Sequence, residues 1–276
     1  MESDQPLVEE ENPASFRVGC IGSEVKKSSR KEVDDTCKCR KGRCGCVFEK
    51  CRNLWNMSPK TDFVHRLEAG ETQKLGLFGT SLSFHLAPNL RQSLQKKFGE
   101  RAQIINLGLP GKASRTALEA LESQVLPAVP DALLTEWAIN DAHSYFHEPQ
   151  ALDAGITLQE SRENLETLIQ RVQAALPRSE ILLMTTNPTF DAPGGAMRGR
   201  TARPLLEAFY EGVREVASAR GLTLIDGEKF WNSLRLRDEA LFRLLTPDGV
   251  HPTPRAWREQ FVPFLEGALG ISPEQP

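Results

Sequence analysis

A serine close to residue 80 and an acid–histidine pair close to residue 250 are the residues of this sequence best suited to nucleophilic chemistry. Ser81 follows an apolar run at 75–79 and opens a segment with helical periodicity. Asp248 and His251 lie in the stretch D-G-V-H-P. A histidine can take the proton of a serine hydroxyl, and a carboxylate can orient that histidine, so these residue types can form a catalytic triad. Taken alone, each has a structural explanation, because serine is a common N-cap and Asp-Gly a common turn.

The elements that would position these residues are predicted from alternating apolar and amphipathic segments. Five short apolar runs indicate strands, at 75–79, 104–107, 132–137, 181–185 and 222–225. Apolar residues at helical spacing indicate helices near 82–98, 114–126, 157–176, 203–220 and 254–268. Strands that are apolar throughout and separated by helices predict a parallel sheet covered on both faces. We therefore predict an α/β fold, a flavodoxin-like three-layer α/β/α sandwich with a five-stranded parallel sheet.

Further candidate residues follow the predicted strands, where ligands bind in folds of this class. Gly111 follows the second strand and Asn140 follows the third. A tetrahedral intermediate needs hydrogen-bond donors aimed at its oxyanion. The Ser81 N–H at a helix start, a glycine N–H of the second loop and the Asn140 amide could supply three such donors.

The connection over residues 187–203 is longer than a routine link between a strand and a helix. We expect it to border the acyl or alcohol pocket. Asn187 and Arg198 are the candidate substrate-binding residues, with Arg200 and Arg203 as alternatives. A surface loop without a role in binding is an equally good explanation.

Composition and charge exclude several classes of function. The 276 residues carry a formal net charge of −3, which gives no case for a nucleic-acid partner or an anionic membrane surface. No apolar run approaches the roughly 18 residues of a transmembrane helix, and the first residues show no signal peptide. We therefore predict a cytoplasmic protein with a small-molecule substrate. The sequence does not indicate an oligomeric state.

All six cysteines lie between Cys20 and Cys51, in a charged segment without apolar periodicity. We predict that residues 1–56 are a disordered extension, dispensable or not native, with Met57 as a candidate start, and that residues 57–276 form the folded domain. The pattern C-x-C-x4-C-x-C-x4-C offers thiolates to a metal, but its C-x-C pairs fit a zinc site poorly. We expect neither a metal nor an organic cofactor.

Four stretches resemble the sequence blocks of the SGNH (GDSL-type) hydrolase superfamily, over roughly residues 72–270. They are G-T-S-L at 79–82, N-L-G-L-P-G-K-A-S at 106–114, A-I-N-D at 138–141 and D-G-V-H-P at 248–252. The resemblance implies the SGNH hydrolase fold. It implies the following site residues: a triad of Ser81, Asp248 and His251, and an oxyanion hole of Ser81, Gly111 and Asn140.

Several positions in these blocks depart from the superfamily pattern or offer alternatives. Thr80 replaces the aspartate of the GDSL signature, and Ala138 replaces a glycine that usually precedes the asparagine. Gly108 is a second glycine in the oxyanion block, although the spacing disfavours it. Ser83 is a rival nucleophile, and it replaces the glycine that the G-x-S-x-G elbow of an α/β-hydrolase would need. For His85 we expect a surface or packing role.

The resemblance implies a serine esterase that works through an acyl-enzyme intermediate on a small-molecule ester. We expect a short acyl or acetyl group, with an acetylated carbohydrate as a candidate, because no long apolar stretch indicates a lipid-binding lid. The alternative is a catalytically silent ligand-binding module on the same scaffold. A second alternative gives the main role to the cysteine-rich segment as a metal or nucleic-acid tether, but the near-even charge of residues 1–56 argues against it.

Overall fold

Five parallel strands lie at the centre of the computed structural model, which describes residues 59–147, 155–192 and 201–272. The strands are β1 (Gln73–Gly79), β2 (Ala102–Asn106), β3 (Ala132–Glu136), β4 (Glu180–Thr185) and β5 (Thr223–Asp226). Their order across the sheet is β2-β1-β3-β4-β5, and each neighbouring pair is parallel. This is the order of flavodoxin-like doubly wound folds, so the predicted fold class is confirmed.

The central strands are buried on both of their faces. β3 is buried along its whole length, and β1 at all but one position. A strand with both faces buried needs a layer of helices above and below it. The chain order switches direction between β1 and β3, which is the point where ligands bind in doubly wound sheets.

Helices flank the sheet. They are α1 (Asp62–Glu68), α2 (Ser81–Phe98), α3 (Ser114–Ala120), α4 (Ala138–His147), α5 (Leu158–Ala175), α6 (Leu206–Arg220), α7 (Gly227–Arg237), α8 (Glu239–Leu245), α9 (Pro254–Ala256) and α10 (Val262–Ala268). Shorter elements extend or join them: a π-helical turn (Leu121–Val125) and a helical segment (Leu126–Ala128) after α3, a second π-helical turn (Trp257–Phe261) between α9 and α10, and a 3₁₀ turn (Gly99–Arg101) before β2.

Helix α2 is anchored by the apolar stripe that its sequence shows. Leu82, Leu86, Leu90 and Leu94 are completely buried. Burial of a leucine side chain contributes about 1.5–3 kcal/mol, so the stripe fixes the rotation of α2 against the sheet. The first residue of the helix, Ser81, is thereby held at the carboxyl edge of β1.

Apolar periodicity did not predict α1, α4, α7 or α8, of which α1 and α8 have only seven residues each. Of these, α4 carries Asn140, the predicted oxyanion donor, in its first turn. The N–H groups of Asn140 and Asp141 donate to the Trp137 carbonyl at 3.0 and 3.1 Å. The helix therefore begins directly after β3 and carries Asn140 at a fixed position.

The described residues belong to one compact unit, Cys51–Pro276. The predicted extension over residues 1–56 lies almost wholly outside this unit and wholly outside the described residues, so its character stays a prediction. None of the described helices combines the length and the apolar character needed to cross a bilayer.

Candidate active site

Ser81, His251 and Asp248 form a chain of hydrogen-bonding groups at the carboxyl edge of the sheet. The Ser81 Oγ lies 2.9 Å from His251 Nε2, and His251 Nδ1 lies 2.6 Å from Asp248 Oδ2. None of the three residues is fully buried. With the proton on Nδ1 held by the carboxylate, Nε2 can accept the serine proton. The structure therefore brings together the three residues that the sequence analysis selected.

The position of Ser81 follows from the end of β1. Thr80 is the N-cap of α2, with extended backbone and a side chain that accepts from the Leu82 N–H. Ser81 is consequently the first residue of the helix, where N–H groups have no partner within the helix and the dipole favours negative charge. The Ser81 N–H is thus placed to bind an anion.

The acid–histidine loop is shaped by Asp248 itself. Its Oδ1 accepts from the N–H groups of Val250 at 2.9 Å and His251 at 2.7 Å, while Oδ2 faces the imidazole. Burial works against the charge of Asp248, but the hydrogen bonds from His251 and Val250 outweigh it and lower the pKa to about 2. The carboxylate is therefore ionised at neutral pH and able to orient the histidine.

The segment after β4 supports this loop from below. The Asn187 amide donates to the Val250 carbonyl at 2.7 Å, and the Phe190 N–H donates to the Gly249 carbonyl at 3.1 Å. Asn187 is completely buried and its amide holds the loop, whereas its role in substrate binding stays a prediction. Arg198, the other predicted substrate-binding residue, lies outside the described residues.

The two further oxyanion candidates are tied to each other. Gly111 lies in a turn closed by the Lys112 N–H and the Leu109 carbonyl at 3.1 Å, and its φ of +73° is one that glycine adopts without strain. One N–H of the Asn140 amide donates to the Lys112 carbonyl at 2.8 Å, so its second N–H remains for a ligand. In the described part of the chain, no acceptor bonds the N–H of Ser81 or of Gly111.

Gly108, the alternative oxyanion glycine, has a packing role. A Cβ at this position would lie 2.6 Å from the Phe84 backbone nitrogen, so only glycine lets the second loop approach α2. The Gly108 N–H donates to Asn106 Oδ1 at 3.1 Å, whereas a Cβ at Gly111 would meet no atom within 4 Å. The structure therefore favours Gly111 as the glycine that can face a ligand.

Ser83, the rival nucleophile, is completely buried and donates its hydroxyl to Glu136 Oε1 at 2.9 Å. Glu136 also accepts from the N–H and hydroxyl of Thr80 and from the Ser83 N–H. Burial raises the pKa of Glu136 to about 7, against the hydrogen bonds from Thr80 and Ser83 that lower it. The sequence analysis missed this residue, although a charged side chain inside the apolar run at 132–137 was a signal.

Two exposed aromatic residues lie beside the histidine. The His85 and His251 rings are edge to face with centroids 6.0 Å apart, and Phe84 and His85 are similarly arranged at 5.5 Å. Partial burial and the neighbouring His251 lower the pKa of His85, and Asp248 only partly opposes them. His85, expected to have a surface or packing role, therefore lies at the rim of the site with Phe84.

Among the described residues, no group of three or more His, Cys, Asp or Glu side chains is arranged to hold a metal ion. The cysteine-rich pattern lies outside those residues, so its metal-binding interpretation stays open.

Comparison with known proteins identifies one sequence family and one fold. The model of the GDSL-like lipase/acylhydrolase family matches residues 76–257. No curated protein matches the sequence. Among solved structures, a protein from Parabacteroides merdae described as a GDSL-like lipase is 18% identical, with a TM-score of 0.62, covering 73% of this chain and 97% of that one.

Two further solved structures give the same result. A catalytic mutant of an acetylxylan esterase from Geobacillus stearothermophilus is 18% identical, with a TM-score of 0.61, covering 73% of this chain and 96% of that one. An α/β hydrolase from the metagenome of Lake Arreo is 21% identical, with a TM-score of 0.60 and the same coverage. At these identities the likeness is one of fold.

Proposed function

The chain belongs to the GDSL-like lipase/acylhydrolase family and is a carboxylic ester hydrolase, and from that premise we propose that Ser81, His251 and Asp248 are its catalytic triad. The observation that carries the proposal is the continuous hydrogen-bonded path from the serine hydroxyl through both imidazole nitrogens to an ionised carboxylate, with steps of 2.9 and 2.6 Å. The rival serine, Ser83, is instead buried against a carboxylate.

In the proposed reaction, Ser81 Oγ attacks the ester carbonyl carbon while His251 Nε2 takes the hydroxyl proton. The tetrahedral intermediate then collapses, and His251 returns the proton to the departing alcohol. Water, activated by the same imidazole, hydrolyses the acyl-enzyme and releases the acid. Asp248 keeps the proton on Nδ1 throughout and stabilises the imidazolium.

We propose the N–H groups of Ser81 and Gly111 and the Asn140 amide as the donors to the oxyanion. Two of these donors are backbone groups without an acceptor in the described part of the chain, so they need not break a bond before they bind. The third is held in place by the Lys112 carbonyl. Donors fixed before the reaction cost little reorganisation when negative charge develops.

For the substrate, we propose an ester with a short acyl group, and an acetylated carbohydrate as the first class to test. Two proteins described as acetylxylan esterases share the fold. The exposed rings of Phe84 and His85 offer flat apolar faces beside the triad, and such faces pack against sugar rings as well as against aryl groups.

The test is intact-mass analysis after treatment with a fluorophosphonate. We expect one adduct on the wild-type chain and none on Ser81→Ala, together with a loss of about 10⁴-fold or more in kcat on p-nitrophenyl acetate. A panel of acetylated oligosaccharides and longer-chain esters then tests the substrate class. A folded wild-type chain that forms no adduct would contradict the triad and favour a ligand-binding module.

A further inference from the structure

A buried carboxylate grips the turn that carries the nucleophile. Oε1 of Glu136 accepts from the Thr80 N–H at 2.7 Å, the Thr80 hydroxyl at 2.9 Å, the Ser83 N–H at 3.2 Å and the Ser83 hydroxyl at 2.9 Å. Glu136 lies at the end of β3, the strand beside β1. The two gripped residues are Thr80, directly before Ser81, and Ser83, two positions after it.

The strand before the nucleophile is built to admit this carboxylate. A Cβ on Gly79 would lie 2.5 Å from Glu136 Oε1 and 2.4 Å from Ser83 Oγ. Real Cβ atoms essentially never come so close to neighbouring atoms, so any other residue at 79 would displace the carboxylate or the turn. The absence of a side chain at Gly79 therefore makes the space that the Glu136 carboxylate occupies.

We propose that Glu136 is a positioning residue for the nucleophile, and that its ionised carboxylate holds Thr80 and Ser83 so that Ser81 presents its hydroxyl to His251 and its N–H to the oxyanion. This inference rests on the proposed function, because it assigns Ser81 as the reacting group. Charge-assisted hydrogen bonds are roughly twice as strong as neutral ones, which gives the ionised form the firmer grip.

The grip is expected to depend on pH. Burial raises the pKa of Glu136 to about 7, so protonation begins close to neutral pH. Two further titratable groups lie near this carboxyl: Tyr210 of α6, whose pKa is raised by burial and also by the Glu136 charge, and Asp141 of α4, which lines the same small cavity. Asp141 accepts from the Ser114 N–H and the Ser161 hydroxyl, and burial raises the pKa of Tyr210 well above its usual range.

The experiment compares Glu136→Gln with Glu180→Gln, a partly buried glutamate that also accepts from the N–H groups of a helix start, at Asp62 and Phe63. We measure the rate of fluorophosphonate labelling, and kcat and KM on p-nitrophenyl acetate from pH 5 to 9. For Glu136→Gln we expect labelling and kcat about tenfold lower at pH 8 with KM within about twofold of wild type.

The pH profile separates positioning from general support of the fold. In the wild type, the fall of kcat at low pH should include a component from protonation of Glu136. In Glu136→Gln that component should be absent. Glu180→Gln should keep the wild-type profile and kcat. The proposal would be overturned if Glu136→Gln kept the labelling rate and the pH profile of the wild type. It would also be overturned if Glu136→Gln and Glu180→Gln lost kcat equally.

Ser83→Ala provides a second variant should Glu136→Gln fail to fold. It removes one hydroxyl donor and leaves the carboxyl in place, which should raise the pKa of Glu136. The fall of kcat at low pH should therefore begin at a higher pH than in the wild type. A fall of kcat at the same pH as in the wild type would count against the proposal. If the wild-type protein is not labelled at Ser81, the proposed function fails. If it is labelled, but Glu136→Gln and Ser83→Ala have the same pH profile as the wild type, only the positioning role of Glu136 fails.

Discussion

Glu136 and Glu180 each accept hydrogen bonds from the start of a helix, at opposite ends of the strands. Glu136 lies at the carboxyl ends of the strands, here called the carboxyl edge, and Glu180 at their amino ends, the amino edge. Glu180, at the start of β4, accepts from the N–H groups of Asp62 at 3.2 Å and Phe63 at 2.9 Å and so caps α1. Burial raises the pKa of both carboxyls against the hydrogen bonds that they accept. The contacts are alike in kind, but the helix held at the carboxyl edge begins with Ser81, the proposed nucleophile.

A carboxylate at a helix start caps a helix at the amino edge, and at the carboxyl edge it holds the turn that carries the proposed nucleophile. At the amino edge the carboxylate takes the first N–H groups of α1. At the carboxyl edge it takes the N–H groups on either side of Ser81 and leaves that of Ser81 for an anion. We therefore expect substitutions at the carboxyl edge to change turnover, and those at the amino edge to change stability alone.

The largest difference between the edges should come from an oxyanion donor. Asn140→Ala should lower kcat on p-nitrophenyl acetate by about 10²–10³-fold, with a smaller change in KM, because the lost bond strengthens in the transition state. The matched substitution is Asp131→Ala, which removes an acceptor for the Lys74 N–H at 2.8 Å at the amino edge. Steady-state kinetics would contradict this prediction if both variants kept the wild-type kcat.

Two glycines with left-handed backbone allow a second test. A Cβ on Gly249, with φ of +82°, would lie 1.8 Å from the Phe190 carbonyl oxygen. A Cβ on Gly270, with φ of +84°, would lie 2.6 Å from the Lys60 Cα. Alanine at either position should cost about 1–3 kcal/mol in the free energy of unfolding, measured with urea.

Only Gly249→Ala should also displace the acid–histidine loop, and a displacement of about 1 Å can lower kcat by about 10²-fold. Kinetics at a temperature where both variants remain folded would settle this. Equal kcat in Gly249→Ala and Gly270→Ala would contradict the claim that only substitutions at the carboxyl edge change turnover.

The third expectation concerns stability and pH. Because the pKa of Glu136 rises from 4.5 to about 7 on folding, its protonated form stabilises the native state below about pH 4.5, and this contribution is lost as pH rises through 7. Such a shift corresponds to about 3 kcal/mol. The free energy of unfolding of Glu136→Gln relative to wild type should therefore increase by about 3 kcal/mol between about pH 4 and pH 8.

Urea denaturation across this pH range measures the difference. Glu180→Gln should show a change of the same sign but smaller size, since Glu180 is less buried than Glu136. A difference for Glu136→Gln that does not vary with pH would show that its carboxyl has an ordinary pKa.

The smallest expected effect lies at the rim of the site. Phe84 is 43% exposed, and Phe84→Ala should raise KM for aryl and sugar acetates about threefold through loss of ring contact, with kcat nearly unchanged. Val129→Ala, an exposed apolar side chain just before β3, should leave both constants as in wild type. An unchanged KM in Phe84→Ala across an ester panel would show that Phe84 does not contact the substrate.

The fold could be predicted because each strand contains a short apolar run, and the observed strands differ from the predicted runs by at most two residues at either end. The triad residues could be selected because Ser81 opens a strongly periodic helix and because Asp248 and His251 share a short motif. Local sequence carried each of these signals. The hydrogen bond between the two parts, across 170 positions, is a property of the packed chain.

Other parts of the site could not be predicted, for identifiable reasons. Glu136 belongs to a run whose pattern indicates a buried strand, and nothing local tells that Thr80 and Ser83 will compensate its burial. Asn187 follows a strand like other site residues, but its amide turns toward the Val250 carbonyl. The helical position of Asn140 was not predicted because the residue before α4 is Trp137, which is not a residue type that usually caps a helix.

The separation of Ser81 from His251 by 170 positions has a consequence for the protein while it is being made. Chains emerge from the ribosome N-terminal end first, whereas a domain generally folds as a unit. The strand, turn and helix that hold the serine are complete long before the histidine loop has been synthesised. We therefore expect the nascent polypeptide to carry an ordinary alcohol at Ser81, which can act as the proposed nucleophile only after the segment with His251 has docked.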